Sequence, residues 1–107
     1  MLDFKNKVAV VTGASRGIGR AVALALARGG YAVSINYRKS RDMADEVVNS
    51  IRQIGGKAIA VQCDVSKREE VENIFTATIN AFNKVDILVN NAGIAIWASL
   101  LETTDET

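Results

Sequence analysis

The chain has 107 residues, with 13 Lys+Arg against 12 Asp+Glu, no His, no Pro and a single Cys. That is one domain's worth of chain; its balance of 49% hydrophobic and 23% charged residues is that of a soluble globular protein, and a net charge of +1 gives no electrostatic case for nucleic acid or an anionic membrane surface. Without His there is no His general base, triad or metal cage, and one Cys makes neither an intrachain disulfide nor a thiolate zinc cluster.

Met1 to Lys7 lacks the apolar core of a signal peptide. The longest strictly apolar run, Ala21 to Ala27, is far too short to span a membrane. A cytoplasmic, reducing setting is therefore expected.

Val8-Ala9-Val10-Val11-Thr12 is a short β-branched run stopped by Gly13, which predicts a buried strand. From Gly17 to Arg28, the i, i+4, i+8 recurrence of Ile18, Val22 and Leu26 predicts a helix, stopped by Gly29-Gly30. Ala32 to Asn36 reads as a second strand. Ser40 then opens a helix with the stripe Met43, Val47 and Ile51, flanked by Ala44 and Val48 and ended by Gly55-Gly56. Ala58 to Gln62 is a third strand. Ser66-Lys67-Arg68-Glu69 has the form of a capping box, so a helix starts there, with Val71, Ile74, Phe75, Thr78, Ile79 and Phe82 on its buried face. Asp86 to Asn90 is a fourth strand. Strands alternating with helices predict an α/β fold, a Rossmann-type parallel sheet with helices on both faces.

The strongest signal is Thr12-Gly13-Ala14-Ser15-Arg16-Gly17-Ile18-Gly19, three glycines set between a strand and a helix. Gly13 lets the chain turn sharply, Gly17 clears the way for a pyrophosphate, and Gly19 permits close packing of helix on sheet. The helix N-terminus offers N–H groups and a positive dipole end to phosphate, and Ser15 and Arg16 add a hydroxyl and a cation. The spacing is not a P-loop, because Arg20-Ala21 follows Gly19 where Lys-Ser or Lys-Thr is needed. A tight turn with no ligand is the plain alternative.

In dinucleotide-binding folds an acid near the end of the second strand takes the ribose 2′-hydroxyl of NAD, while basic groups there suit the 2′-phosphate of NADP. Here the segment reads Asn36-Tyr37-Arg38-Lys39, with no carboxylate before Asp42. Arg38 can pair with a phosphate, Lys39 adds charge and Arg16 can approach from the loop. NADP(H) is favoured over NAD(H). The alternative is that Arg38, Lys39 and Arg41 are a solvated basic cluster.

Thr12 to Gly19 resembles the TGxxxGxG motif of the short-chain dehydrogenase/reductase family. Asn90-Asn91-Ala92-Gly93 is similar to its NNAG motif, and Asp64-Val65 to its adenine-binding pair. The wording looks most like the 3-oxoacyl-carrier-protein reductase and glucose dehydrogenase branches. The resemblance implies that Gly13, Ser15, Arg16, Gly17, Ile18 and Gly19 line the pyrophosphate and adenosine ribose. It implies that Arg38, with Tyr37 beside it, meets the 2′-phosphate, and that Asp64 bonds the adenine amino group with the Val65 backbone alongside. Asn91, Ala92 and Gly93 would pass the inner ribose, and Asn90 would brace the sheet. For Asp64 the alternative is a partner for the dipole of the following helix. Cys63 reads as a small buried hydrophobe, and Trp97 as a packing residue.

The family interconverts carbonyls and alcohols by hydride transfer, using a Ser and a Tyr-x-x-x-Lys pair. That spacing puts both side chains on one helix face, where the ammonium lowers the phenol pKa. Tyr31 is followed four positions on by Ile35, and Tyr37 by Arg41, so the pair is missing; Ser99 falls too early to be the catalytic Ser. Thr103-Thr104-Asp105-Glu106 again has the form of a capping box, and the apolar strand at Ile87-Leu88-Val89 would be expected to have another strand beside it. The expectation is that residues 1–107 are the N-terminal portion of one NADP-binding domain, cut before the catalytic segment. The full-length enzyme would act on a small-molecule carbonyl or alcohol, and family members often form homo-oligomers. Two other readings stand beside this one: a non-catalytic dinucleotide-binding module functional at this length, and a different nucleotide user on a similar fold, such as a methyltransferase.

Overall fold

A computed structural model describes residues 6–15 and 17–91. The elements, in chain order, are β1 (Val8–Val11), α1 (Gly17–Arg28), β2 (Ala32–Tyr37), α2 (Arg41–Gln53), β3 (Ala58–Gln62), α3 (Arg68–Phe82) and β4 (Ile87–Val89). The four strands form one parallel sheet in the order β3-β2-β1-β4. The fold is α/β and Rossmann-type, as the alternation of strand and helix predicted. The chain leaves β1 toward β2 and later returns to β1's other side at β4, so strand order reverses there; such sheets bind ligands outside the carboxyl ends at that point.

Every residue of β1 is buried, because helices cover both sheet faces and strands flank both edges. On one face α1 and α2 pack over Val11, Val33, Ile35, Tyr37 and Ala58. On the other, α3 brings Val71 and Ile74 against Val10 and Cys63. The one-residue alternation of a strand sends Val10 and Val11 to opposite helices.

Three local expectations are corrected. The α1 stripe turns by one residue: Gly19, Ala23 and Ala27 face the core, while Ile18 is 75% exposed and Val22 and Leu26 are only partly buried. Small residues let α1 lie close to the strands, and the larger ones pack at its flanks. In α3, Val71, Ile74 and Thr78 are buried, whereas Ile79 is 48% exposed. The Thr78 hydroxyl donates to Ile74 O at 2.7 Å, which satisfies a polar group inside an apolar face.

The third correction concerns Ser66. The N-cap of α3 is Lys67, and no side chain caps it. The Ser66 hydroxyl instead donates to Asp64 Oδ1 at 2.6 Å, and the Ser66 amide donates to the same atom at 2.9 Å. A carboxylate two residues upstream is the stronger acceptor for that hydroxyl, so the box does not form. At α2 the N-cap is Ser40, as expected, but it contributes its carbonyl, to Ala44 N at 3.0 Å, and no side-chain bond.

The start of β1 is held by Asp86. Its amide donates to Val8 O at 2.8 Å, and its Oδ2 accepts the Val8 amide at 2.8 Å. Lys84 Nζ lies 3.2 Å from the same oxygen. The Val8 amide, helped by Lys84 and Lys7, holds the Asp86 carboxyl below its ordinary value. A depressed folded-state pKa adds stability that is complete above the unfolded value and lost as pH falls through the folded one. Urea midpoints should therefore fall as pH drops below 3.8, the ordinary aspartate value. Asp86→Asn should be less stable at neutral pH and lose less on acidification. Parallel acid profiles for the two proteins would rule this role out.

Candidate functional site: a glycine loop at the carboxyl end of the sheet

The segment after β1 is shaped by its glycines. Gly17 has φ +62°, a left-handed conformation that L side chains rarely adopt, and among the described residues a Cβ there would meet nothing within 4 Å. The first turn of α1 carries no acid to repel an anion. Gly19 is the opposite case. A Cβ on it would overlap Gly13 O and come within 2.9 Å of Asn91 Nδ2. The close approach at Gly19 is to the Gly13 carbonyl of the loop and to Asn91 just past β4, where the sequence suggested the sheet.

Hydrogen bonds tie this loop to the ends of two strands, β4 and β2. Thr12 N donates to Val89 O at 3.0 Å. The Thr12 hydroxyl accepts the Asn91 amide at 2.8 Å and faces Asn90 Oδ1 at 3.3 Å. Asn91 Nδ2 donates to Gly13 O at 3.3 Å. On the other side, Gly13 N donates to Asn36 Oδ1 at 3.2 Å and Ala14 N to Asn36 O at 3.0 Å. Asn90 thus braces β4 against β1, as anticipated. Thr12 and Asn36 were not singled out in the sequence for this work. Their signal was a polar residue near the end of a buried strand, where a side chain must find partners.

The ends of β2 and β3 bring Arg38 and Asp64 together. Arg38 Nη2 is 3.7 Å from Asp64 Oδ2, with 67% of the Arg38 side chain exposed. Such an exposed pair is weak and easily exchanged for another anion. The two Ser66 donors, then the charges of Arg38 and Lys67, hold the Asp64 carboxyl below its ordinary value. Asp64 therefore already serves the turn before α3, through the Ser66 amide and hydroxyl. Val65 packs into the α3-side core. Tyr37 is buried on the α1/α2 side, and its carbonyl accepts Cys63 N at 2.9 Å.

The structure thus gathers Gly13, Ser15, Gly17, Ile18, Gly19, Tyr37, Arg38, Asp64, Val65 and Asn91 around the carboxyl ends of the strands. Arg16, Ala92, Gly93, Trp97, Ser99 and the Thr103–Glu106 box lie outside the described residues. Among the described residues, no helix is long and apolar enough to cross a membrane. A depression of about 800 Å³ opens at the opposite end of the sheet among Lys7, Arg28, Ile54, Lys57 and Lys84. The C-terminal ends of the helices lie there, and Arg28, in the last turn of α1, offsets that helix's dipole.

Residues 7–107 match the short chain dehydrogenase family. The chain belongs to that family of oxidoreductases. It is 53% identical over 94 residues to a 3-oxoacyl-[acyl-carrier-protein] reductase of Synechocystis, covering 88% of this chain and 38% of that one. It is 47% identical over 93 residues to the short-chain dehydrogenase/reductase homolog YusS of Bacillus subtilis, covering 87% of this chain and 85% of that one. A short chain dehydrogenase of Burkholderia cenocepacia, solved in complex with NADP, superposes with a TM-score of 0.82 at 46% identity, over 87% of this chain and 38% of that one. YusS aside, the chain spans about two fifths of the length of such curated relatives, 43% and 36% in two further cases.

Cys63 lies beside this site but is 1% exposed. Burial first, then the charges of Glu70 and Asp64, push its thiol up to about 11. An aromatic disulfide reagent at about pH 8 should label it slowly in the folded chain and quickly in concentrated guanidinium. Rapid labelling of the folded chain would contradict the burial.

Proposed function

We propose that the chain is the cofactor-binding part of an NADP(H)-dependent oxidoreductase that moves a hydride between a carbonyl and an alcohol. The observation that carries the choice of cofactor is Arg38. Its guanidinium is exposed at the carboxyl end of β2, paired only weakly with Asp64, and the segment Asn36-Tyr37-Arg38-Lys39 has no acid to take a ribose 2′-hydroxyl. The NADP complex of the Burkholderia relative supports the same reading.

In this reading residues 1–107 are the N-terminal portion of one NADP-binding domain. Gly13, Ser15, Arg16, Gly17, Ile18 and Gly19 hold the pyrophosphate and adenosine ribose, through backbone amides and the N-terminus of α1. Arg38, next to Tyr37, takes the 2′-phosphate; Asp64 and Val65 take the adenine; Asn91, Ala92 and Gly93 border the inner ribose. Bound NADP(H) would supply or accept the hydride. The full-length protein is a cytoplasmic homo-oligomer acting on a small-molecule carbonyl or alcohol, and nucleic acid and membrane are not its partners.

NADPH should bind more tightly than NADH, and Arg38→Asp should reverse the order by adding a ribose acceptor and repelling phosphate. Equal affinities by titration calorimetry would sink the cofactor assignment.

The Ser and Tyr-x-x-x-Lys set is missing from this sequence, so verified 107-residue material should show no carbonyl-dependent oxidation of NADPH. Turnover above the rate without carbonyl would contradict this. A second reading, a non-catalytic dinucleotide-binding module functional at this length, is favoured by one observation: YusS is 85% covered by this chain and so is of comparable length. Reading the gene past codon 107 separates the two, since an in-frame Ser and Tyr-x-x-x-Lys belongs to the enzyme.

A further inference from the structure

Asn36 is the last inward-facing polar residue of β2, and only 2% of it is exposed. Its amide reaches in two directions. Oδ1 accepts the Gly13 amide at 3.2 Å. Nδ2 donates toward Cys63 O at 3.1 Å, with Tyr37 O at 3.3 Å and Val61 O at 3.4 Å as further acceptors. Two amide hydrogens thus serve the ends of β2 and β3, while the amide oxygen serves the glycine loop.

The two segments so joined are the halves of the proposed cofactor site. Gly13 opens the loop toward Gly17 and Gly19, and Cys63 immediately precedes Asp64. The backbone reinforces the link, since Asn36 O accepts Ala14 N at 3.0 Å and Cys63 N donates to Tyr37 O at 2.9 Å. A buried side-chain amide is costly to leave unpaired, so the bridge holds both segments to one spacing.

We propose that Asn36 is a positioning residue that sets the distance between the pyrophosphate loop and the adenine and 2′-phosphate subsite, so that one dinucleotide engages both. It touches no cofactor itself and acts through Gly13 and Cys63. The proposal rests on the NADP(H) reading above.

The test is calorimetric titration of the full chain with two probes. NADP+ spans both subsites; adenosine 2′-monophosphate has no pyrophosphate, so it takes the Arg38 and Asp64 side and keeps only the ribose contacts of the loop. Asn36→Ala should weaken NADP+ about tenfold, the scale of one unsatisfied buried group, and adenosine 2′-monophosphate less than about twofold. A purely structural loss lowers the folded fraction and weakens both probes alike, and that result would overturn the proposal.

Asn36→Ser is neutral, and its single short hydroxyl cannot reach both Gly13 N and Cys63 O, so it covers the case of an unfolded alanine variant. It should show the same selective loss of NADP+. NADP+ affinity equal to wild type in Asn36→Ser would overturn the bridge. A wild-type chain that binds neither probe would instead overturn the NADP(H) reading, and this inference with it.

Discussion

Gly19 and the carbonyl of Gly13 lie so close that no Cβ fits between them, and Asn91 stands against the same point. The arrangement at the carboxyl end of the sheet depends on this contact. It draws α1 down onto the loop that starts it, and so aims the free amides of the first helical turn at the space outside β1. It leaves room for Asn91 Nδ2 to reach Gly13 O, joining the end of β4 to the loop. The small face of α1, Gly19, Ala23 and Ala27, is the same requirement continued along the helix.

Around that contact the strand ends are joined by side chains more than by the ladder. Thr12 serves β4, and Asn36 serves β3 and the loop. At the other end of β1, Asp86 alone takes both backbone groups of Val8. Parallel strands leave unpaired amides and carbonyls where they end, and polar side chains there supply the missing partners. A rigid floor results at one end, with exposed Ile18 and Arg38 at its rim. Rigid floor and exposed rim are what a binding site on this kind of sheet requires.

The family and its fold were legible in the residues, because three motifs fell in order on elements that hydrophobic periodicity had already placed. The limits of the reading were local. Ile18, Val22 and Leu26 obeyed a helical period, yet the face one residue over is buried, because close approach selects small side chains and a count of large ones points the wrong way. Ser66 matched a capping box, but the Asp64 carboxylate was nearer and a better acceptor. Asn36 gave only the faint signal of a polar residue near the end of a buried strand.

The sequence by itself determined the alternation of strands and helices, the glycine loop, the basic end of β2 and the lack of a Tyr-x-x-x-Lys pair. These are matters of residue type and spacing, which need no partner distant in the chain. Tertiary structure alone decided that β4 returns beside β1, that Asn91 meets Gly13, that Arg38 faces Asp64 and that Asn36 bridges two segments. Each of those contacts joins residues more than 20 positions apart. Which polar group finds which partner is then set by strand order and register, and pattern along the chain does not encode either one directly.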